Sequence, residues 1–296
     1  MEKFFQILMK FLDEEDVRIL KSISSDSVLA HSLKKIFEKP ENSARYLVFL
    51  KDNPNSVYLV AKAADRLSRY LEGKDSEVVF GVFFSALKLL RDSGDRKIIQ
   101  NLFSLLREAI EYRLANGRYE DAARLAVEFQ DFGLKNYIKK ILFFVFEVVE
   151  NGDYLRAMRI LEMLPKSEDI LDVKASILLE WGKKLSLSIP EAGIKKIEES
   201  LSIRETEEAK LALAEVYENI GEYKKALSIY NSMKNYPGVA EKIARLLMEW
   251  GEIEKDLDKL YEAKNLTSND LLREEIERRI MKIKIGNFHK KENFYV

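Results

Sequence analysis

The sequence predicts an all-α protein, an α-solenoid of antiparallel helix pairs, and three observations carry that prediction. The first is a scarcity of breakers. With 12 Gly and 5 Pro in 296 residues, the chain falls below the usual ~7 % and ~5 % and cannot furnish the turns of a β-sandwich. The second is the spacing of apolar residues, which recur at steps of three and four almost throughout, the mark of a helix with one buried face. No β-branched run alternates with period two for long enough to compete. The third is a Gly-containing turn that recurs through the second half.

Taken in order, the pattern places helices at 2–12, 14–24, 26–38, 41–52, 55–72, 76–92, 95–115, 119–132, 135–150, 154–164, 168–184, 190–203, 205–219, 223–235, 238–250, 252–264 and 268–285. The first carries an apolar stripe of Phe4, Phe5, Leu8, Phe11 and Leu12, suited to packing on neighbouring helices or, alternatively, to docking a partner. Asp13–Asp16 suit the positive end of the second helix; Glu14, Glu15 and Asp16 as ligands of a hard cation are the less economical reading. Pro40–Glu41, Asn53-Pro54-Asn55, residues 73–76 and Ser93-Gly94-Asp95 are stops and starts. Pro40, Pro190 and Pro237 fit first turns, where a missing N–H costs nothing. Leu142–Phe146 has moderate β-propensity but lies inside a longer helical pattern. Leu211, Ala214, Val216 and Tyr217 make one helical face, and Ala226, Leu227, Tyr230 and Met233 another. Ser268 or Asn269 can cap the last helix, which ends near Gly286 and carries Ile276, Ile280 and Ile283 on one side.

The repeat is visible in the turns. Asn116-Gly117-Arg118-Tyr119-Glu120-Asp121-Ala122 matches Asn151-Gly152-Asp153-Tyr154-Leu155-Arg156-Ala157, and both match Ile220-Gly221-Glu222-Tyr223-Lys224-Lys225-Ala226. Each reads Gly-x-Tyr-x-x-Ala. Trp181-Gly182 and Trp250-Gly251 are placed in equivalent turns, giving Gly spacings of 35, 30, 39 and 30. Gly allows the positive φ of a tight turn, Ala lets two helices approach, and Tyr and Leu fill the contact with the next pair.

On these residues the chain resembles the tetratricopeptide repeat over about residues 95–265. Leu213, Ala214 and Tyr217 fit the family's first helix, Gly221 and Tyr223 its turn, and Ala226 and Tyr230 its second helix. Phe144, Val148, Tyr154, Ala157 and Pro165 fit around Gly152. Arg113 stands where an aromatic is expected. Ser186–Pro190 lengthens the turn near Gly182, and Asp256 replaces the small residue after Gly251. The resemblance implies a right-handed superhelix, with 1–94 as a helical cap or degenerate repeats (55–72 and 76–92 forming one pair), 266–285 as a capping helix and 286–296 as a tail.

Composition excludes several chemistries. Without Cys there are no thiol nucleophiles, disulfides or Cys-ligated metals. His31 and His289 are too few for a metal cluster, and no phosphate loop or nucleophile elbow is present. Neither an enzyme nor a cofactor is predicted. Lys+Arg 49 against Asp+Glu 50 leaves no basic surface for generic nucleic-acid binding. The local exception is the segment 278–291, with Arg278, Arg279, Lys282, Lys284, Lys290 and Lys291. No apolar run reaches the ~20 residues of a membrane span, and no signal-peptide pattern opens the chain; a cytoplasmic protein is expected. Three Gln beside abundant Lys, Glu and Ile form a thermophile-like composition.

The function expected is that of a scaffold or adaptor binding a protein or peptide, with nucleic-acid binding through 278–291 as the alternative. If the resemblance holds, the first helices line a concave groove. That groove would present Arg107, Glu111 and Leu114, then Lys139, Leu142, Phe146 and Val149. Asp169, Asp172, Ser176 and Leu179 follow, then Glu208, Leu211, Glu215 and Glu218, and finally Glu241, Arg245 and Met248. Its early part is basic and apolar and its later part acidic, so a partner with an apolar anchor and a basic segment would be complementary. Salt bridges between adjacent helices could use the same charges.

Overall fold

The computed structural model describes residues 10, 12–93 and 95–292, apart from the side chains of residues 23, 24 and 287–292. The apolar stripe of the first expected helix, other than Leu12, lies outside the described residues, as do Gly94, the side chains of His289, Lys290 and Lys291, and residues 293–296. The described residues contain sixteen α-helices, two short 3-10 turns and no strand. The helices are α1 (Glu14–Ser24), α2 (Ser27–Glu38), α3 (Ser43–Leu50), α4 (Pro54–Tyr70), α5 (Gly73–Arg91), α6 (Arg96–Ala115), α7 (Tyr119–Glu128) and α8 (Lys135–Glu150). They continue with α9 (Tyr154–Met163), α10 (Glu168–Ser186), α11 (Pro190–Ile203), α12 (Glu207–Asn219), α13 (Tyr223–Ser232), α14 (Val239–Glu254), α15 (Leu257–Leu266) and α16 (Asp270–Glu292).

The helices start where local chemistry satisfies their free N–H groups. Asp26, Asn53, Asp95, Ser167, Thr206 and Asp256 each accept a hydrogen bond from a first-turn N–H. Asn269 rather than Ser268 caps α16, accepting from Leu272 N at 3.2 Å. Asp13 and Asp16 cap α1 reciprocally and share Lys62 Nζ at 2.5 Å. Lys62 holds the Asp13 carboxyl down to about 2.

The turns correct the expected register. Gly117, Gly152 and Gly221 have φ of 69°, 82° and 79°, as their turns require. Gly182 and Gly251 lie inside α10 and α14. The αL position after α14 is Lys255, at φ 57°. Its turn repeats the hydrogen bonds of the others: Asp256 N donates to Gly251 O at 2.8 Å, as Glu222 N does to Tyr217 O and Arg118 N to Arg113 O. The αL residues 117, 152, 221 and 255 are therefore 35, 69 and 34 apart, one period of about 34 residues with one turn skipped. That turn is 187–189, where the Leu185 carbonyl accepts from both Ser188 N and Ile189 N. It is no longer than the turns at 116–118 and 151–153, so Ser186–Pro190 is not an insertion; α10 simply runs two residues further than expected.

The chain divides into two compact units. Of the described residues, the first comprises those up to 151 and 159–164, the second those of 152–158 and 165–292. In the first, α2 packs with α3, α4 with α5, α6 with α7 and α7 with α8, while α1 lies on α4. Leu33, Ile36, Leu47, Leu50, Phe83 and Leu87 lie among its buried side chains. The Arg113 departure is explained here. Its side chain is fully buried with Asp65, donating to the Asp65 carboxylate at 2.6 Å, to Ser68 Oγ at 3.1 Å and to Ala109 O at 3.0 Å. Its guanidinium sits 4.6 Å from the Phe80 ring centre and 5.3 Å from that of Phe83. Arg69 also binds Asp65, and Arg118 donates to Ser68 O and Ser76 Oγ.

In the second unit, α10 packs with α11, α12 with α13 and α14 with α15, and α16 lies on α15 and α14. Leu272, Ile276, Ile280 and Ile283 of α16 join a core with Tyr230, Val239, Leu246 and Leu260, as the apolar face read from the sequence requires. Gly182 and Gly193 bring α10 and α11 together. A Cβ on Gly193 would lie 2.6 Å from Ser186 N and 2.7 Å from Gly182 O. The turn tyrosines also recur as stacking partners: Tyr154 on Trp181 at 5.6 Å and Tyr223 on Trp250 at 5.9 Å. In the first unit, Tyr119 stacks on Phe144 at 5.0 Å.

Candidate partner-binding face

In the first unit the expected surface residues lie on α6 and α8. Their placement follows from helical period. Ile141, Val145, Val148 and Val149 turn α8 into the core, while Phe144 is drawn aside by its stack on Tyr119. Lys139, Leu142, Phe143 and Phe146 therefore share the other face. Phe143 is 71 % exposed and Phe146 44 %; Leu142 is half-buried and Lys139 exposed. Among the described residues no ion pair involves Lys139. On α6, the exposed Arg107 lies 5.7 Å from the ring centre of Phe103. Glu111 accepts from Tyr137 Oη at 2.9 Å and Lys140 Nζ at 2.8 Å, and the Lys140 ammonium holds its carboxyl below the usual range. These groups rim a depression of about 320 Å³ lined by Phe103, Arg107, Glu111, Leu134, Tyr137 and Lys140.

In the second unit the expected acidic residues lie on α10 and α12, and most of them meet cations of a neighbouring helix. Arg204 binds both Asp172 and Glu168, the latter at 2.7 Å. Lys183 reaches Glu208 at 2.6 Å and Lys242 reaches Glu215 at 2.6 Å. Glu218 accepts from Tyr230 Oη at 2.9 Å, and Glu241 accepts from Thr267 Oγ1 at 2.5 Å and Ser268 N at 3.0 Å. Asp169 and Arg245 are exposed and Leu211 is half-buried. Asp172 and Glu208 share a depression of about 230 Å³ with Ser176, Leu179, Ser200 and Arg204.

Phe143, Tyr137 and Lys140 were not among the residues expected here. Phe143 could have been found from its place beside Lys139, Leu142 and Phe146 on one helical face. The counter-ions had a signal too: Glu111–Lys140, Lys183–Glu208 and Glu215–Lys242 are separated by 29, 25 and 27 residues, a little less than one repeat period, and each links one first helix to the next.

Among the described residues no group of three or more His, Asp or Glu is placed to hold a metal ion, and His31 is exposed. No helix of the described residues is long and apolar enough to cross a membrane. In the basic segment, Arg279 binds Glu252 at 2.5 Å and Glu275 at 2.6 Å, and Lys282 lies 3.2 Å from Glu252. No protein-family model matches the chain, and no curated protein matches it.

Proposed function

We propose that this chain is a non-enzymatic helical-repeat adaptor of tetratricopeptide-like construction that binds a protein or peptide on the exposed face of its first helices. The observation that supports this most is the α8 stripe, where Phe143 and Phe146 stand open to solvent beside Lys139 and near the cationic rim of Arg107 and Lys140. Aromatic side chains bury a large area with few rotors to fix, which makes them frequent anchors of interfaces. The carboxylates of the second unit, Asp172, Glu208 and Glu215, already hold Arg204, Lys183 and Lys242. Lys140 is likewise held by Glu111, so the partner chemistry favoured is an extended segment with apolar side chains for α8 and carboxylates for Arg107 and Lys139.

Selection of a random peptide library on the full chain tests this. Enriched peptides should pair apolar with acidic residues. Phe143→Ala with Phe146→Ala should weaken them by about 30-fold or more, as expected of hot-spot residues. Arg107→Glu with Lys139→Glu should weaken them mainly at low salt. No enrichment, or peptides indifferent to both pairs of changes, would sink the proposal.

A further inference from the structure

A helix at the surface of a folded unit needs one apolar face, and its outer side is normally polar. The last helix, α16, departs from this. Its inner face is Leu272, Ile276, Ile280 and Ile283, all buried. On the outer face Leu271 is 77 % exposed, Met281 64 % and Ile285 56 %. With the exposed Glu274 and Arg278 they form the series 271, 274, 278, 281, 285, whose alternating steps of three and four are the seam of a coiled coil. A shallow cleft of about 680 Å³ runs along this side, lined by Glu274, Glu277, Arg278, Met281, Lys282 and Ile285.

The charges beside the seam indicate what covers it. One flank carries Glu275 and then Lys282, the other Glu277 and then Lys284. Both are acidic toward the N-terminal end and basic toward the C-terminal end. A second copy laid antiparallel sets Glu275 opposite the copy's Lys282 and Glu277 opposite its Lys284, and symmetry doubles each pair. The stem of Arg278 then covers Met281 of the copy. A parallel copy would match Glu277 with Lys282 but oppose Asp270 to Glu275. We propose that the outer face of α16 pairs antiparallel with the same face of a second copy of this chain. Within one chain the flanking residues hold partly exposed partners: Glu275 binds Arg279 at 2.6 Å, Glu277 binds Lys264 at 2.6 Å, Lys282 reaches Glu252, and Lys284 lies 5.5 Å from the ring centre of Tyr261. Exposed pairs of this kind contribute little and yield to better-placed ones.

Sedimentation equilibrium of the full chain should show a monomer–dimer equilibrium. Met281→Glu with Ile285→Glu changes only exposed side chains and should weaken the dimer at least tenfold with the far-UV circular dichroism unchanged. Glu275→Lys with Glu277→Lys should weaken it, as should Lys282→Glu with Lys284→Glu, and a mixture of these two variants should associate again. The absence of Cys makes the geometry testable: Arg278→Cys protein mixed with Met281→Cys protein should cross-link on oxidation, whereas Leu271→Cys alone should not. A monomer at every concentration would overturn the proposal. So would a dimer indifferent to Met281→Glu and Ile285→Glu, charge variants that fail to complement one another, or efficient self-linking of Leu271→Cys.

Discussion

The two units are built from the same element, a pair of helices joined by a short turn, but they close it by opposite means. In the first, a charge is taken into the core and surrounded: Arg113 meets Asp65, Ser68, a backbone carbonyl and two phenyl faces. In the second, side chains are withdrawn so that backbones touch, with Gly193 against Ser186 and Gly182. The first solution is specific but fragile, because either partner left alone is a buried charge in a medium that cannot solvate it. The second is steric, and its fragility lies in volume.

The largest expected effect follows from the first solution. Asp65→Ala leaves the Arg113 guanidinium buried without its counter-ion and should cost ~3–5 kcal/mol. Asp65→Leu with Arg113→Met removes both charges and should recover most of that loss. Urea unfolding followed by circular dichroism measures both. A single substitution costing less than ~1 kcal/mol, the worth of a surface pair, would erase the contrast between the units.

Next comes Gly193→Ala. Its Cβ would meet three backbone atoms inside 2.8 Å, and none can rotate away, so α10 and α11 must separate. Overpacking of this kind costs ~1–3 kcal/mol. Trp181 and Trp250 both belong to the second unit, so Trp fluorescence during unfolding reports the loss there. An unchanged midpoint would mean that the helices are not held at glycine contact.

These two sites also mark the limit of what the sequence discloses. The helices and most of their ends were legible, because apolar period, caps and Pro act over a few residues. The turns at Gly117, Gly152 and Gly221 were legible because positive φ selects Gly. Lys255 was not, since a Lys in that conformation carries no signature, and Gly251 drew the boundary four residues early. Gly182 was misread for a related reason: Gly serves a turn and a close helix contact equally well. Arg113 read as a departure because its reason, Asp65, lies 48 residues away. On the candidate face, the repeat pointed to Arg107, Lys139 and Phe146, which are exposed, but the ion pairs of Asp172, Glu208 and Glu215 depend on which neighbouring cation reaches them.

The turn residues sharpen the same point at smaller cost. Gly221→Ala meets nothing within 4 Å, so only its φ of 79° opposes the change, and a loss of ~1–2 kcal/mol is expected. Lys255→Gly should act in reverse and stabilise the second unit by up to about 1 kcal/mol, because Gly adopts the left-handed region without that penalty. Trp fluorescence melts of both variants check the pair. A Lys255→Gly protein less stable than its parent would remove Lys255 from the series of turn residues.

The smallest effect concerns a charge that the second unit does bury in part. Glu218 is half-buried, and loss of water raises its carboxyl pKa above the ordinary 4.5; Glu249 and Glu215 push the same way, while the Tyr230 hydroxyl and Lys242 pull against them. The folded state therefore holds this proton more tightly than the unfolded chain. The contribution to stability is full below the unfolded value near 4.5 and is lost as pH rises through the higher folded value. Glu218→Gln keeps the shape and removes the titration. The variant should match its parent most closely in acid and gain on it between pH 4.5 and neutrality, read from Trp fluorescence melts across that range. Parallel pH profiles would show that water reaches this carboxylate freely. In that case burial of this carboxylate would carry no cost, and the contrast with the Asp65–Arg113 core would be sharper still.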